Sequence, residues 1–257
     1  MRAFVLMAML AVSAALPQIT YPEIAELSIY TGSFYTTGTY GGDSTLEDLY
    51  FPISINYTGN RFGYRVTIPY LTFNAPVTVI DETDPTIENT TTIVQEEGLG
   101  DILTSFTIYN VINNDNYDFA VDITGKIKFA TANYDQGLGS GENDYEIQTE
   151  FYKFFQRSTL FYSAGYRIRG DPDNIDLENV WLHNAGFTYR FSPTVKVGII
   201  YVYRQSSIDY LDAIEDVAGF IALNINKTWQ LQLHGISGVS ETAADWGAGI
   251  LLKKTFK

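Results

Sequence analysis

The sequence predicts an all-β fold, on three observations. Apolar and polar residues alternate with a period of two, helical periodicity is almost absent, and short polar turns separate the alternating segments. In the segment 195–204, Val195 and Tyr203 share one row, whereas Lys196 and Arg204 belong to the other. Because successive strand residues point to opposite faces, this strand has one apolar, aromatic face and one face that carries cations.

The alternation predicts twelve strands. Each is close to the length of a tilted membrane-crossing strand, which is roughly 9–11 residues before any overhang. An even number of such strands is typical of an antiparallel, up-and-down transmembrane β-barrel of the bacterial outer-membrane type. The predicted strands are 25–40, 46–58, 61–74, 98–112, 117–132, 143–156, 159–170, 179–191, 194–205, 216–226, 228–238 and 244–256.

The connections between these strands alternate in length, which also favours the barrel. Short turns at one end and longer loops at the other are typical of outer-membrane barrels. Tight turns are predicted at 58–60, 113–116, 156–158, 192–194 and 226–228. Longer links are predicted at 75–97, 133–142, 170–178 and 206–215.

A secreted β-sandwich would also alternate, and it is the main alternative fold. With the aromatic rows outside, its core would have to hold Lys126 with Lys128, or Arg167 with Arg169. With those rows inside, nearly every strand would place two or three large rings in one core. A barrel avoids both difficulties, because its aromatic rows contact lipid and its charged rows contact water. Its closed ring of strands also satisfies every backbone hydrogen bond within the membrane.

The first residues predict export. Arg2 supplies a positive start, residues 3–12 an apolar core, and residues 13–15 a small-residue cleavage site. A membrane anchor helix is disfavoured because the apolar run is too short and Pro17 ends it. We therefore expect a signal peptide at 1–15 and a single barrel domain at 16–257. The aromatic last strand resembles the sorting signal of bacterial outer-membrane barrels.

Composition excludes several classes of function. The net charge of −14 argues against nucleic acid as a partner, because phosphate binding needs concentrated Lys and Arg. The absence of Cys excludes a disulfide scaffold, thiolate metal sites and a Cys nucleophile. Asp171, Asp173, Asp176 and Glu178 suggest calcium, but they lack the glycine and the spacing of an EF-hand. Solvated surface acids, bridged to lipopolysaccharide by divalent cations, are the favoured interpretation, and we expect no cofactor and no metal site.

The inward rows of the predicted barrel supply the candidate site, a charged lumen. One interpretation is that these charges pair across strands and hold a narrow barrel in shape, as Glu146 and Glu150 would with Arg167 and Arg169. The functional interpretation is a cationic wall on 159–205 that faces a more acidic one, in which Arg190, Lys196 and Arg204 favour anions or dipolar solutes. The predicted pore-lining residues are Arg65, Asp118, Asp122, Lys126, Lys128, Glu146, Gln148, Glu150, Arg167, Arg169, Arg190, Lys196, Arg204, Gln232 and Asp245.

Three motifs resemble a known family. The segments EEGLGDILTSFTIYNVI (96–112), KFATANYDQGLGSGENDYEIQTEFYKFF (128–155) and LFYSAGYRIRGDP (160–172) are similar to the MetA-pathway phenol-degradation transporter family, mainly over 96–191. The resemblance implies a monomeric, 12-stranded outer-membrane channel that passes small, often hydrophobic or aromatic, molecules. Its partners would then be small-molecule permeants, outer-membrane lipid and lipopolysaccharide.

Two other functions remain as alternatives to a passive channel. An outer-membrane lipid hydrolase needs a Ser activated by His, with a third group that orients the imidazole. Of the two histidines, His234 lies three residues before Ser237, which places the two side chains on opposite faces of a strand, and His183 has no suitable Ser. We therefore expect no enzyme. A non-transporting structural or adhesive barrel is the stronger alternative, and it would have long loops and a plugged lumen.

Overall fold

The computed structural model describes residues 25–42, 44–79, 90–114, 118–172 and 176–256. Within this part of the chain no helix is long and apolar enough to cross a bilayer. The strands are β1 Glu26–Gly38, β2 Leu46–Thr58, β3 Phe62–Val79, β4 Thr90–Leu99, β5 Ile102–Asn114, β6 Phe119–Phe129, β7 Asp144–Phe154, β8 Ser158–Ile168, β9 Val180–Arg190, β10 Val195–Arg204, β11 Ile214–Asn224, β12 Trp229–Gly238 and β13 Trp246–Phe256.

The strands form one closed antiparallel sheet. Strand β1 pairs with β13 on one side and with β2 on the other, and β2 continues through β3 and β5 to β6. The ring built by the described residues thus has twelve strands, and β4 is not part of it because β4 pairs only with the distal half of β3. The predicted 12-stranded antiparallel β-barrel is confirmed.

The barrel has a turn end and a loop end. At the turn end, described connections span only a few residues, at 59–61, 155–157, 191–194 and 225–228. At the loop end they are longer, at 130–143, 205–213 and 239–245. In outer-membrane barrels the short turns face the periplasm and the long loops face outwards.

The predicted long loop at 75–97 is wrong in part. Strand β3 continues to Val79, and its residues Tyr70–Val79 pair with Thr90–Leu99 of β4. Pairing of β3 with β2 stops at Phe73, so residues 74–79 extend beyond the ring. The β-branched residues of these two segments favour extended strands. The sequence pattern predicts a loop at 75–97 because the apolar alternation stops before this segment.

Several predicted segments lie outside the described residues. They are the signal peptide at 1–15, residues 16–24, the middle of the predicted 75–97 loop at 80–89, the second half of the 113–116 turn with residue 117, and residues 173–175, which include the candidate ligand Asp173.

The apolar rows of the strands face outwards, as predicted for a barrel in lipid. In β2, Ile53 and Ile55 are 56% and 50% exposed, whereas the intervening Ser54 is 8% exposed. Ile147 and Ile199 of β7 and β10 show the same outward placement. This pattern is the inverse of that in a soluble protein and matches a wall with hydrocarbon outside and polar groups inside.

The interior is partly packed with side chains. One cluster of buried apolar residues lies towards the loop end and consists of Phe34, Tyr50, Leu71, Phe73, Leu138 and Leu251. A second cluster lies against the opposite wall and consists of Ala120, Tyr152, Phe161, Ile200, Val202, Phe220 and Ala222. The free space in the barrel therefore lies beside these clusters and does not fill the whole cross-section.

Replacing Ile199 with Arg tests the outward face. Ile199 is 53% exposed in the middle of β10, so we expect Ile199→Arg to lower the free energy of unfolding by about 2–4 kcal/mol in a bilayer, since it would place a charge near the midplane. Ile225, in the turn after β11, lies near the interface, and Ile225→Arg should cost only about 0–1 kcal/mol. Denaturant unfolding in phospholipid vesicles measures the free energy of unfolding of both variants. Equal losses for the two variants would contradict the placement of Ile199 near the midplane and Ile225 near the interface.

Candidate functional site

Two cavities lie in series inside the barrel. The central cavity has a volume of about 180 Å³ and is lined mostly by polar side chains of β2, β3 and β5–β7, with Asn184, Val202 and Arg204 on the other side. The loop-side cavity has a volume of about 130 Å³ and a more apolar wall that includes Leu71, Leu138 and Val180. Four residues line both cavities and so mark the neck between them: Tyr50, Leu103, Lys128 and Arg204.

An ion-pair network forms one wall of the central cavity. Glu146 of β7 accepts hydrogen bonds from Lys126 Nζ at 2.7 Å and from Nη2 and Nε of Arg167 at 2.7 and 2.9 Å. Lys126 Nζ also donates to Gln148 Oε1 at 2.5 Å. The network crosses three adjacent strands, because Lys126 is the register partner of Glu146 and Glu146 is the register partner of Arg167. Glu146 and Arg167 are therefore paired, as the structural interpretation of the sequence expected.

Glu150 has different partners from those expected. Its carboxylate accepts hydrogen bonds from Thr124 at 3.2 Å and Gln148 at 3.3 Å. Arg169 instead lies 3.5 Å from Asp144, towards the loop end. Burial lowers the pKa of the Arg169 guanidinium from its ordinary value, and Asp144 opposes that shift.

Lys128 connects the barrel wall to a loop that folds inwards. Its ammonium lies 3.1 Å from Asp101 and 3.5 Å from Asp144, and it donates a hydrogen bond to Ser140 Oγ. Lys128, Asp101 and Asp144 are all buried. Because Ser140 belongs to the connection between β6 and β7, Lys128 fixes this connection, residues 130–143, which we term the inward loop.

The inward loop packs against the short connection between β4 and β5, residues 100–101. Asp101 Oδ1 accepts hydrogen bonds from the backbone N–H groups of Thr131 and Ala132, both at 3.0 Å. An added Cβ at Gly139 would lie 2.6 Å from both carboxylate oxygens of Asp101, and one at Gly98 would lie 2.6 Å from Leu138. The GLGD and GLGSG motifs thus supply glycines where the two segments approach most closely, and Leu138 is inserted into the buried cluster at the loop end.

The structure places the predicted pore-lining residues in four groups. Those that line the central cavity are Arg65, Asp122, Lys126, Lys128, Glu146, Gln148, Glu150, Arg167 and Arg204. Arg169 lines the loop-side cavity. Arg190, Lys196 and Gln232 belong to inward rows that lie apart from both cavities. Asp118 and Asp245 are exposed and directly precede β6 and β13.

Asp118 and Asp245 differ from the prediction for one physical reason. Each was assigned by extending a period-two row by one residue, but β6 begins at Phe119 and β13 begins at Trp246. Asp118 has a φ of 48°, so the chain turns there and the alternation of faces no longer applies. Its carbonyl oxygen accepts a hydrogen bond from Phe154 N–H at the rim.

Three residues that line the two cavities, Tyr50, Asp101 and Asp144, are absent from the pore-lining set predicted from the sequence. Tyr50 shares the inward row of β2 with Ser54 and Asn56, and this row could have identified it. Asp144 begins β7 and continues the inward row of Glu146 and Gln148, so this row could also have identified it. Asp101 immediately precedes β5, and the Gly-rich motif beside it was the clearer sign. Among the described residues no group of three or more His, Cys, Asp or Glu side chains could hold a metal ion.

The two histidines lie in different environments. His234 is buried inside the barrel against Phe34 and 3.3 Å from Gln232, and Ser237 is exposed on the outer face. His183 lies on the outer row of β9 and hydrogen-bonds the Tyr162 hydroxyl at 2.8 Å. Neither histidine has a Ser hydroxyl partner among the hydrogen bonds of the described residues.

Solved structures similar to this chain are outer-membrane barrels. The COG4313 outer membrane channel from Pseudomonas putida F1 is 13% identical with a TM-score of 0.66, over 94% of this chain and 100% of that chain. The NanC porin is 8% identical with a TM-score of 0.60, over 89% and 98% of the two chains. The toluene transporter TbuX from Ralstonia pickettii is 9% identical with a TM-score of 0.51, over 92% and 90%. At these identities the likeness concerns the fold.

The sequence comparison is more specific. No curated protein matches this sequence. Residues 30–252, however, match a family profile, and this match spans most of the chain, including all three motifs and most of the two strands that close the ring. The chain therefore belongs to the family described as "Putative MetA-pathway of phenol degradation".

Proposed function

We propose that this protein is a passive channel of the bacterial outer membrane for the uptake of small molecules, including hydrophobic or aromatic compounds. The observation that carries the proposal is the pair of cavities in series, joined at the neck formed by Tyr50, Leu103, Lys128 and Arg204. Family membership supports it, and so does the barrel fold shared with proteins described as an outer membrane channel and a toluene transporter.

The cavity volumes favour small permeants. A cavity of roughly 150 Å³ with an apolar lining can hold one benzene molecule. The loop-side cavity, at about 130 Å³, has a similar size, and Leu71, Leu138 and Val180 give it an apolar wall. A single-ring solute could therefore enter this cavity before it meets the charged neck. A disaccharide would be too large without movement of the inward loop.

The lining residues belong to the same proposal. The permeant would contact Arg65, Asp122, Lys126, Lys128, Glu146, Gln148, Glu150, Arg167, Arg169 and Arg204 in the two cavities, and Arg190, Lys196 and Gln232 nearer the turn end. Both basic and acidic groups belong to this lining, as suits dipolar solutes. Asp118 and Asp245 are left out because they are exposed at the rims.

Further parts of the proposal concern the chain outside the lumen. We infer a signal peptide at 1–15, a single barrel domain at 16–257, a monomeric state, and contacts with outer-membrane lipid and lipopolysaccharide. Passive flow requires no cofactor, and the placement of His183 and His234 supports a protein that is not an enzyme. A non-transporting structural or adhesive barrel is the second candidate, favoured by the inserted Leu138 and the packed apolar clusters.

Reconstitution in planar bilayers tests the channel against the second candidate. We expect discrete, small conductance steps with an ohmic response and no need for nucleotide or a proton gradient. A folded, inserted barrel that never conducts would favour the structural or adhesive function. A lipid-hydrolysis assay on the same preparation checks the enzyme alternative, for which we expect no product.

A further inference from the structure

The charges inside the barrel are distributed unevenly along its axis. The five ion pairs described above involve Asp101 or residues of β6 to β8 and their loop-end extensions. Towards the turn end, the inward rows of other strands carry further cations, of which Arg190, Lys196 and Lys253 are here termed the basic cluster. None of these three takes part in any of those ion pairs.

Two members of the basic cluster are direct neighbours. Arg190 of β9 and Lys196 of β10 are register partners in the antiparallel ladder. Side chains opposite each other in such a pair have their Cβ atoms roughly 5 Å apart, and like charges in this position destabilise a sheet. The charged groups that act on Lys196 are Arg190 and Lys253, both of them cations.

The neighbouring side chains do not neutralise the charge of the basic cluster. Lys253 Nζ lies 5.4 Å from the centre of the Tyr30 ring, whose other neighbour is the guanidinium of Arg65 at 5.6 Å. Gln230, the register partner of Lys253, donates to Asn224 Oδ1 at 2.8 Å. Glu26 and Asp118 are the described acids at this end of the barrel, and neither forms an ion pair with the cluster.

The loop end has the opposite character. Its described connections carry acids such as Asp135, Glu142, Asp209, Asp212 and Glu241. An anion in the lumen would therefore be repelled from the loop end and attracted towards the turn end, since unpaired charges in a narrow, low-dielectric passage act over longer distances than in water. Arg190 and Lys196 repel each other at the turn end, and an anion bound between them would remove this repulsion.

We propose that Arg190, Lys196 and Lys253 form an anion-binding site at the turn-end mouth of the barrel. It would take the carboxylate or phosphate group of a small solute, held by charge-assisted hydrogen bonds from the two ammonium groups and the guanidinium. The inference rests on the proposed function only in treating the bound anion as a permeant on its way to the periplasm.

Equilibrium dialysis of the folded barrel in a non-ionic detergent tests the site without requiring conduction. Labelled benzoate and labelled inorganic phosphate are the two probes, and they distinguish a carboxylate ligand from a phosphate one. We expect at least one probe to bind saturably, to be displaced by chloride, and not to be displaced by benzyl alcohol, which has the same ring without the charge. The double variant Lys196→Gln/Lys253→Gln should weaken binding by about tenfold or more, because it removes two charged donors.

Lys254→Gln is the matched control. Lys254 neighbours Lys253 in sequence but lies on the opposite face of β13, with its Nζ 4.7 Å from the Trp229 ring centre, so its removal should leave binding unchanged. Heat-dependent gel mobility verifies that each variant is folded. Absence of binding to the wild type, or equal binding by the wild type and the double variant, would overturn the site. Loss of conduction with binding intact would refute only the channel.

Discussion

Replacing Lys128 with Met is expected to lower the free energy of unfolding by about 3–5 kcal/mol, the range typical of removing one partner from a buried ion pair. Lys128, Asp101 and Asp144 are all less than 9% exposed, so solvent cannot replace the lost ammonium. Asp101 would keep its two backbone donors from the inward loop, but its charge and that of Asp144 would lie close together without the intervening cation. Denaturant unfolding of the barrel in lipid vesicles, followed by Trp fluorescence, measures the change.

A double variant separates the ion pair from general damage to the core. Asn at position 101 can still accept hydrogen bonds from the N–H groups of Thr131 and Ala132, while its charge is removed. Asp101→Asn combined with Lys128→Met should therefore cost less than the sum of the two single changes, by about 0.5–3 kcal/mol. Strict additivity would contradict a direct interaction between the two side chains.

Replacing Gly139 with Val is expected to displace the inward loop and to raise the conductance. The new Cβ would lie 2.6 Å from the Asp101 carboxylate oxygens and 2.8 Å from the Ala132 Cβ. Asp101 cannot easily move, because it holds Lys128 and two backbone N–H groups. Such crowding typically costs about 1–3 kcal/mol. The loop can relieve it by moving out of the mouth, which also withdraws Leu138 from the buried cluster. Single-channel recording measures the conductance.

Gly125→Val is the control for this change. An added Cβ at Gly125 meets no atom within 4 Å, so the variant adds the same side chain without crowding. We expect its conductance and stability to match those of the wild type. If Gly139→Val also conducts like the wild type while remaining folded, the inward loop does not narrow the path.

The ring of strands could be predicted from sequence because lipid imposes a simple rule on every strand. Residues such as Ile53, Ile55 and Ile199 must be apolar wherever they face hydrocarbon, and that requirement repeats with period two along the chain. The distal β3–β4 extension lies outside this rule. The pairing of β3 with β4 continues beyond the ladder between β3 and β2, and the polar, Thr-rich sequence there predicts a loop.

The lumen could be predicted only in part. Lys126, Glu146 and Arg167 followed from the inward rows, and the pairing of Glu146 with Arg167 followed from the order of neighbouring strands. The contact of Lys126 with Glu146 was not predicted. The neck could not be predicted, because it depends on how a connection between two strands folds back into the barrel. Leu138 and Ser140 reach the interior through contacts with Gly98, Asp101 and Lys128, which are distant in sequence or separated from them by a turn.

The interior aromatic residues show the same limit. Tyr152, Phe161 and Phe220 occupy inward positions and pack against Ile200 and Val202. Period-two alternation places each of them inside, but it does not distinguish a ring that lines open space from one that fills it. Whether a ring lines or fills the space depends on how side chains from five strands pack together in the lumen. This packing decides along which wall of the barrel open space remains.

The conductance of two variants at Leu103 tests the central claim, that solutes pass through the neck between the two cavities. Leu103 lines both cavities, carries no charge and belongs to no ion pair, so changing its size alters the width of the neck alone. We expect a lower single-channel conductance for Leu103→Trp and a higher one for Leu103→Ala than for the wild type. Folded variants that both conduct like the wild type would show that the path does not run through the neck.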